Sequence, residues 1–306
     1  MNDAQRRVWA RFPSGSQEAL DGLSASDLQT LLLSVAGTRS ARVRPTELMR
    51  RWRDDRFVQP AASDPRVLAA LEDRLWRLLP AAVEGVELSP VVPLGTCAAV
   101  APVSQNRIVT TMRSTEVVSD STNALAIEAA SRRLGQPANG AVHLAASHRQ
   151  LRAQRFAPGM AAHFRLFALV SSGRDTGSGA TEAQFLLLHL RFWRDLLAAL
   201  LPSGAARLHY TRFGSSAVAD RFNDTVLPAF ASSAVPVVEE PDRERGRGYY
   251  ADLALRISAG DLELGDGGFT TWTSQLMGNA KERCLVSCLS TERLAAAIQA
   301  TESHRS

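Results

Sequence analysis

The stretch from about Thr181 to Leu201 reads as a helix with apolar residues on nearly every side, so no orientation of it keeps an apolar face out of water. Such a helix must be enclosed by other elements over most of its circumference, which predicts deep packing inside a layered domain. A chain of 306 residues, 45% hydrophobic and 22% charged, can bury that much surface in one large domain or in one domain plus a small appendage. No run of about 18 apolar residues is present, and Met1-Asn2-Asp3-Ala4-Gln5-Arg6-Arg7 leads into no signal-peptide core. The chain therefore reads as cytoplasmic, with no membrane partner.

Charge says little about partners. The net charge is +4, but Lys281 is the only lysine, and the arginines are spread along the chain and matched by acids. A basic surface would draw phosphates closer, yet this distribution is weak evidence for RNA binding. Cys97, Cys284 and Cys288 are too few and too scattered for a disulfide framework. Cys284 and Cys288 lie four apart with no nearby His, so they read as core residues rather than metal ligands.

Residues 1–60 read as an all-helical appendage. Ser26-Asp27 is expected to cap a run carrying Leu28, Leu31, Leu32 and Val35, with Gly37 as its stop, and a second helix starts at Pro45. The segment from Pro60 to Pro65 reads as a linker. Beyond it, Leu68, Leu71, Leu75, Leu78 and Leu79 repeat at three and four in an amphipathic helix ended by Pro80. Val86 to Pro93 reads as a proline-interrupted strand, suited to an edge or an interface. Strands are also expected over Arg107–Met112 and Ala206–Arg212. Ser119 to Leu125 passes from a loop into a helix reaching about Arg133. Asp252–Leu264 has the pattern of a hairpin turning at Ser258-Ala259-Gly260-Asp261.

The candidate chemistry lies in three segments. In the first, Leu151 to Phe164, Arg152 offers a planar guanidinium fork suited to phosphate and carboxylate oxygens. In the second, Arg245-Gly246-Arg247-Gly248-Tyr249-Tyr250, an arginine and glycines precede a Tyr-Tyr pair expected on a strand. In the third, Ser290-Thr291-Glu292-Arg293-Leu294, Arg293 opens the last helix, whose N-terminus adds positive potential. Arginines so placed suit a polyanion held on a sheet.

Taken together, these segments resemble the catalytic core of histidyl-tRNA synthetase and its paralogues among the class II aminoacyl-tRNA synthetases, over roughly residues 65–300. The helix and Pro-containing strand up to Pro93 resemble motif 1, the dimerisation element. Leu151–Phe164 lines up without gaps on motif 2, read as strand, loop and strand. Arg245–Tyr250 resembles the Arg-Gly-Leu-Asp-Tyr-Tyr signature, with Gly248 in place of Asp. Glu292-Arg293-Leu294 matches the end of motif 3, whose glycines are Val286 and Ser290 here. Gly267 and Gly268 keep the glycines of a Gly-Gly-Arg-Tyr-Asp segment whose other three side chains are lost.

The resemblance implies a mixed α/β (α+β) fold, a mainly antiparallel class II synthetase-like sheet flanked by helices, with residues 1–60 as a helical appendage and 61–306 as the core. It implies Arg152, Arg245 and Arg293 as catalytic residues. ATP would be held by Arg152, Gln154 and Arg293, together with Mg2+. Asp120 and Thr122 stand where the family holds the substrate ammonium group, although Asp120 or Ser121 would equally serve as a helix N-cap. Tyr250, Gly267 and Gly268 fall on the substrate side of the site. Leu166 and Val170 replace the Gln and Glu that contact histidine. An imidazole facing Val170 would be desolvated without a partner, at a cost of about 1–3 kcal/mol, so the expected substrate is an amino acid or related carboxylate other than histidine. Leu166 and Val170 imply an apolar side chain or a disused pocket.

The acceptor would be a tRNA, a carrier protein or a small amine, and the protein a homodimer. With the chain ending soon after Arg293, an anticodon-binding domain is not expected. The alternative implied by the resemblance is a catalytically silent binding protein like the regulatory subunit of ATP phosphoribosyltransferase.

Overall fold

The computed structural model describes residues 3–135, 140–154, 156, 161–214 and 216–303. Helices α1 (Asp3–Trp9), α2 (Ser16–Asp21), α3 (Ala25–Ser40) and α4 (Pro45–Asp54) come first, and none of them contains a buried residue. Helix α5 (Pro65–Leu78) buries Leu68, Leu71 and Leu75, three of the residues that its periodicity aligns. Strands β1 (Glu84–Gly85) and β2 (Val91–Pro93), helix α6 (Thr96–Val100) and strand β3 (Thr115–Val117) lead to helix α7 (Ser121–Leu134). The remainder runs β4 (Ala141–Leu151), β5 (His163–Arg174), α8 (Ala180–Leu200), β6 (Ala206–Arg212), α9 (Ser216–Arg221), β7 (Val237–Glu239), β8 (Ala251–Ala259), β9 (Leu262–Thr270), α10 (Trp272–Met277), β10 (Glu282–Ser290) and α11 (Thr291–Ser303).

Among the described residues, one large sheet has the strand order β1-β4-β5-β10-β9-β8-β6-β7. All its internal pairs are antiparallel, and only the edge pairs β1–β4 and β6–β7 are parallel. Helices α5, α8 and α11 pack on one face, α7 and α10 on the other. With both faces covered, the strands are apolar on both sides. Strand β10 makes the division visible. Leu285 and Leu289 enter the core under α8, while Cys284, Val286 and Cys288 enter the core under α7. Helix α8 is packed as its all-round apolarity demands, with Phe185, Leu186, Phe192, Trp193 and Leu196 all buried. Cys284 and Cys288 are buried and unbridged.

Several local expectations give way to specific bonds. Helix α3 is capped by Ser24, whose hydroxyl accepts from the Asp27 N–H, and it runs through Gly37 to Ser40. One interior glycine costs about 1 kcal/mol relative to Ala, too little by itself to stop the helix. Arg107–Met112 is not a strand. Gln105–Arg107 is a 3-10 turn, and the segment folds back on itself through Thr111 N–H to Thr115 O (2.9 Å) and a lone bridge from Thr110 to Glu116. Only Val91–Pro93 of the proline-interrupted strand is extended, paired with β3 in a separate two-stranded ladder. The Tyr-Tyr pair lies in the turn before β8. The motif 2 segment is mostly the connection between β4 and β5, and Arg155 and residues 157–160 within it lie outside the described residues.

A buried polar chain crosses the α8 side of the sheet. The Trp193 indole donates to Ser287 Oγ (2.8 Å), and His189 bridges Ser287 (2.8 Å) and Ser171 (2.9 Å). Ser171 in turn meets His143 Nδ1 at 2.7 Å. Hydroxyls and a neutral imidazole satisfy one another here at little electrostatic cost. On the other side, Arg133 and Glu282, both 2% exposed, form a two-armed ion pair at 3.1 and 2.9 Å that ties α7 to β10. Breaking such a buried pair from one side costs about 3–5 kcal/mol.

His189 supplies a pH-dependent term in stability. Burial pushes its imidazole from 6.5 down to about 3. The unfolded chain therefore takes up the proton first, and stability falls as pH drops below about 6.5 towards about 3, by up to about 1.4 kcal/mol per pH unit. Urea denaturation of the wild type should show a loss of about 2 kcal/mol from this group between about pH 7.5 and about pH 5. His189→Gln, less stable at neutral pH, should show a correspondingly flatter pH dependence; equal slopes for the two proteins would rule this term out.

Candidate functional site

A cavity of about 810 Å³ opens on the α7 face of the sheet. Its floor is set by β-sheet register. Leu166 pairs with Ser290, and Cys288 pairs with Asp266 across the next strand. These four side chains line the cavity, together with the entrance to α7 at Ser119–Asn123 and the turn carrying Arg245, Tyr249 and Tyr250. Ala61, Ala62 and Ser63, expected as linker, close part of the wall. The volume falls within the range of about 300–1,000 Å³ usual for small-molecule sites.

Arg152 continues the β4 ladder, its N–H donating to Ala162 O (2.9 Å). Its Nε donates to Ser119 O (2.7 Å), its Nη2 lies 3.3 Å from Asp120 Oδ2, and its guanidinium covers the Phe164 ring at 5.1 Å. Asp120 does have the role of an N-cap, since Oδ1 accepts from the Thr122 N–H (3.0 Å) and hydroxyl (2.7 Å). Its second oxygen holds Arg152, so cap and site share one residue. Buried Gln150 takes the Ser121 N–H at 2.8 Å and fixes the same helix entrance.

The other two arginines meet at Glu263. Arg245 Nη1 pairs with Glu263 Oε1 at 2.7 Å, and Arg293 Nη1 donates to the Glu263 carbonyl at 2.9 Å. The neighbouring Glu292 anchors the start of α11, accepting from Arg149 Nη2 (3.0 Å) and the Arg165 N–H (2.8 Å). In the turn, Gly246 has φ +93°, and a Cβ there would stand 2.8 Å from the Tyr250 ring, so glycine is required twice over.

Of the residues read from sequence, Asp120, Thr122, Arg152, Gln154, Leu166, Arg245, Tyr250 and Arg293 all line this cavity. Val170, Gly267 and Gly268 do not. Val170 is fully buried between Leu144 and Val286. Gly267 pairs with Ser287 and so belongs to the α8 face. Gly268 lies beneath Tyr250, where a Cβ would approach the ring to 2.6 Å.

Sequence reasoning missed Asp266, Glu263, Tyr249 and Cys288 as lining residues, and Arg56 as a support. Arg56 donates to the Ala153 (2.5 Å) and Gln154 (2.6 Å) carbonyls, and so clasps the segment that carries Arg152. Asp266 had a visible signal, an acid set among Gly265, Gly267 and Gly268 in β9. Burial raises its carboxyl above the ordinary value, and Arg245 and Arg243 oppose that shift. Burial likewise pushes the Tyr249 and Tyr250 hydroxyls and the Cys288 thiol upward, so all three stay protonated at neutral pH.

No protein-family model and no curated protein matches the sequence. Solved structures do. An ATP phosphoribosyltransferase regulatory subunit/histidyl-tRNA synthetase from Bacillus halodurans superposes with a TM-score of 0.60 at 11% identity, over 78% of this chain and 83% of that one. A histidine–tRNA ligase subunit from Alicyclobacillus acidocaldarius gives 0.61 at 14% identity, over 80% and 97%. The fold is that of a class II synthetase core. Histidyl-tRNA synthetase from Nostoc also superposes at 0.61, with 13% identity over 81% of this chain and 75% of that one. At such identities the class II likeness is one of fold, and the chemistry rests on the cavity's own residues.

The packing of Gly268 under Tyr250 gives a direct test of the site's geometry. Gly268→Ala should displace the Tyr250 ring and destabilise the fold by about 1–3 kcal/mol, the usual cost of overpacking. Chemical denaturation would measure the loss. Fluorescence of Trp272, whose ring lies 5.7 Å from Tyr249, would report the shift. An unchanged spectrum and stability would mean that the ring does not rest on this glycine.

Proposed function

We propose that this protein activates a carboxylic acid by adenylation, the acid being an amino acid other than histidine or a close relative of one. The substrate carboxylate attacks the α-phosphorus of ATP, pyrophosphate leaves, and an acceptor then displaces AMP from the acyl adenylate. The acceptor is a tRNA, a carrier protein or a small amine. The observation that carries this reading is the convergence of Arg152, Arg245 and Arg293, distant in sequence, on one cavity.

The residues present fit a nucleotide. Each arginine is already held by a carboxylate or carbonyl, so its fork is oriented before an anion arrives. Arg152 faces the entrance to α7, and Arg245 and Arg293 stand on the Glu263 side, so an anion lying between them meets positive charge from both ends. There they stabilise charge that develops on phosphate oxygens. Gln154 offers a carbonyl acceptor and an amide donor to a base edge. Mg2+ would come with the nucleotide phosphates and neutralise part of their charge. Asp120, beside Thr122, presents a carboxylate to the ammonium group of an amino acid.

One observation favours a second reading, in which the protein is a silent binding or regulatory subunit. Arg152 and Arg245 are engaged by Asp120 and Glu263, and an entering anion must compete with those pairs. Among the fold relatives, the Bacillus halodurans protein carries a regulatory subunit in its name.

Amino-acid-dependent ATP–pyrophosphate exchange across all proteinogenic amino acids, with a hydroxylamine trap for other acids, separates the two. Adenylation predicts exchange with a restricted set, reduced about a hundredfold or more in Arg152→Ala and Arg293→Ala. Silence across the panel together with no ATP binding by calorimetry would replace this reading with the second one.

A further inference from the structure

Asp266 is the acid of this cavity whose hydrogen-bonding capacity is left over. Asp120 accepts from Thr122 and holds Arg152, Glu263 pairs with Arg245 at 2.7 Å, and Glu292 pairs with Arg149 at 3.0 Å. Asp266 has no such partner among the described residues. Its Oδ1 lies 3.8 Å from the Cys288 thiol, and its Oδ2 lies 3.8 Å from Arg243 Nη2. The first is at the limit for a sulfur donor, and the second is a charge contact without a hydrogen bond.

Arg243 cannot close the gap. Its side chain is 6% exposed, and it spends Nε on the Arg245 carbonyl (3.1 Å) and Nη1 on the Leu255 carbonyl (3.2 Å). Its Nη2 has no hydrogen-bond partner. The guanidinium is therefore locked to backbone and balances the charge of Asp266 from a fixed distance. A carboxylate with two oxygens accepts about four hydrogen bonds, and the Asp266 side chain, 25% exposed, turns that capacity towards the open cavity.

Two further polar groups share this corner of the cavity. Tyr249 and Tyr250 line it with Asp266, and neither hydroxyl makes a hydrogen bond among the described residues. Their rings are set edge to face at 4.9 Å, and the floor beside them is Cys288 and Val286. Asp266 and the two tyrosines form an acceptor with two adaptable hydroxyls over an apolar floor, with Arg245 near enough to oppose the effect of burial on the Asp266 carboxyl. Val170, which the sequence placed here, lies beneath the surface and reads nothing.

We propose that Asp266 determines specificity in this cavity by accepting a hydrogen bond from an amine or hydroxyl on the side chain of the acid substrate. The Tyr249 and Tyr250 hydroxyls complete the same polar contact. The substrate is thus a donor-bearing acid, where Leu166 and Val170 alone pointed to an apolar one. The inference rests on the adenylation reading only for the identity of the ligand as an acid; the binding preference stands separately from turnover.

The test compares matched acids that differ by a donor: serine with alanine, threonine with valine, lysine with norleucine, tyrosine with phenylalanine. Binding is measured by calorimetry and activation by ATP–pyrophosphate exchange, on wild type, Asp266→Asn and Asp266→Ala. The expected result is a preference of about tenfold or more for the donor-bearing member of at least one pair. In Asp266→Ala that ratio should collapse, with binding of the apolar member kept, whereas Asp266→Asn, whose amide oxygen still accepts, should keep part of it. If Asp266 merely held Arg243 in place, its loss would weaken both members of a pair alike and leave the ratio unchanged, and that outcome overturns the proposal. So does a wild-type preference for the apolar member, or failure of every donor-bearing acid to bind. A binding preference lost in Asp266→Ala, with no exchange for any acid, upholds Asp266 and removes adenylation. Histidine carries an N–H donor of its own, so a histidine preference lost in Asp266→Ala upholds Asp266 while ending the exclusion of histidine, and one kept in that variant overturns the proposal.

Discussion

The ladder between β5 and β10, running from Glu282 opposite Arg174 to Ser290 opposite Leu166, fixes what every other element can do. In a strand the side chains alternate faces, so a slip of one residue would turn Leu285 and Leu289 towards the cavity and Cys288 and Val286 under α8. Register is held from both sides. The apolar surface of α8 accepts only the Leu285 and Leu289 face, and the Arg133–Glu282 pair pins one end of the strand to α7. Ser287 adds a polar lock, because the Trp193 indole and the His189 ring both need its hydroxyl where it stands. The cavity floor follows from that register.

Electrostatics in the cavity are arranged before any ligand is present. Three arginines in one recess would repel one another and lose hydration, yet each is met by an oxygen of the protein. Asp120 and Ser119 take Arg152, the side chain of Glu263 takes Arg245, and the backbone of Glu263 takes Arg293. The guanidinium planes are thereby set without forming a closed, fully satisfied network, since Arg245 remains largely exposed. An incoming anion finds donors already aimed, which lowers the ordering cost of binding.

Much of this was legible in the sequence, for identifiable reasons. Helix α8, α5, strand β6 and the hairpin of β8 and β9 have strong periodicity or clear turn chemistry, and they form where the pattern places them. Arg152, Arg245 and Arg293 reach one cavity because each sits beside a structural stop: a strand end, a glycine turn and a helix start. What failed depended on contacts that periodicity does not encode. Arg107–Met112 has the β-branched composition of a strand but lies by the buried carboxylate of Glu116, which draws in the Gly95 and Cys97 N–H groups and the Gln105 amide and leaves that stretch as a folded loop. Val170 matched a site position by alignment, while the depth of the sheet put it beneath the floor. Asp266 was visible as a residue, but its significance lies in the absence of close donors, which only three dimensions reveal.

The Arg56 clasp has a wider consequence. The residue lies 97 positions before Ala153 and follows the N-terminal helices directly, yet its guanidinium grips the backbone that presents Arg152, while Gln59 O meets His163 at 2.6 Å on the strand beyond. Residues 56–63 thus belong to the wall of the cavity, through the Arg56 and Gln59 bonds and the lining residues Ala61, Ala62 and Ser63. The four helices before them bury no residue of their own, so what this end of the chain gives the cavity comes from the stretch that follows those helices.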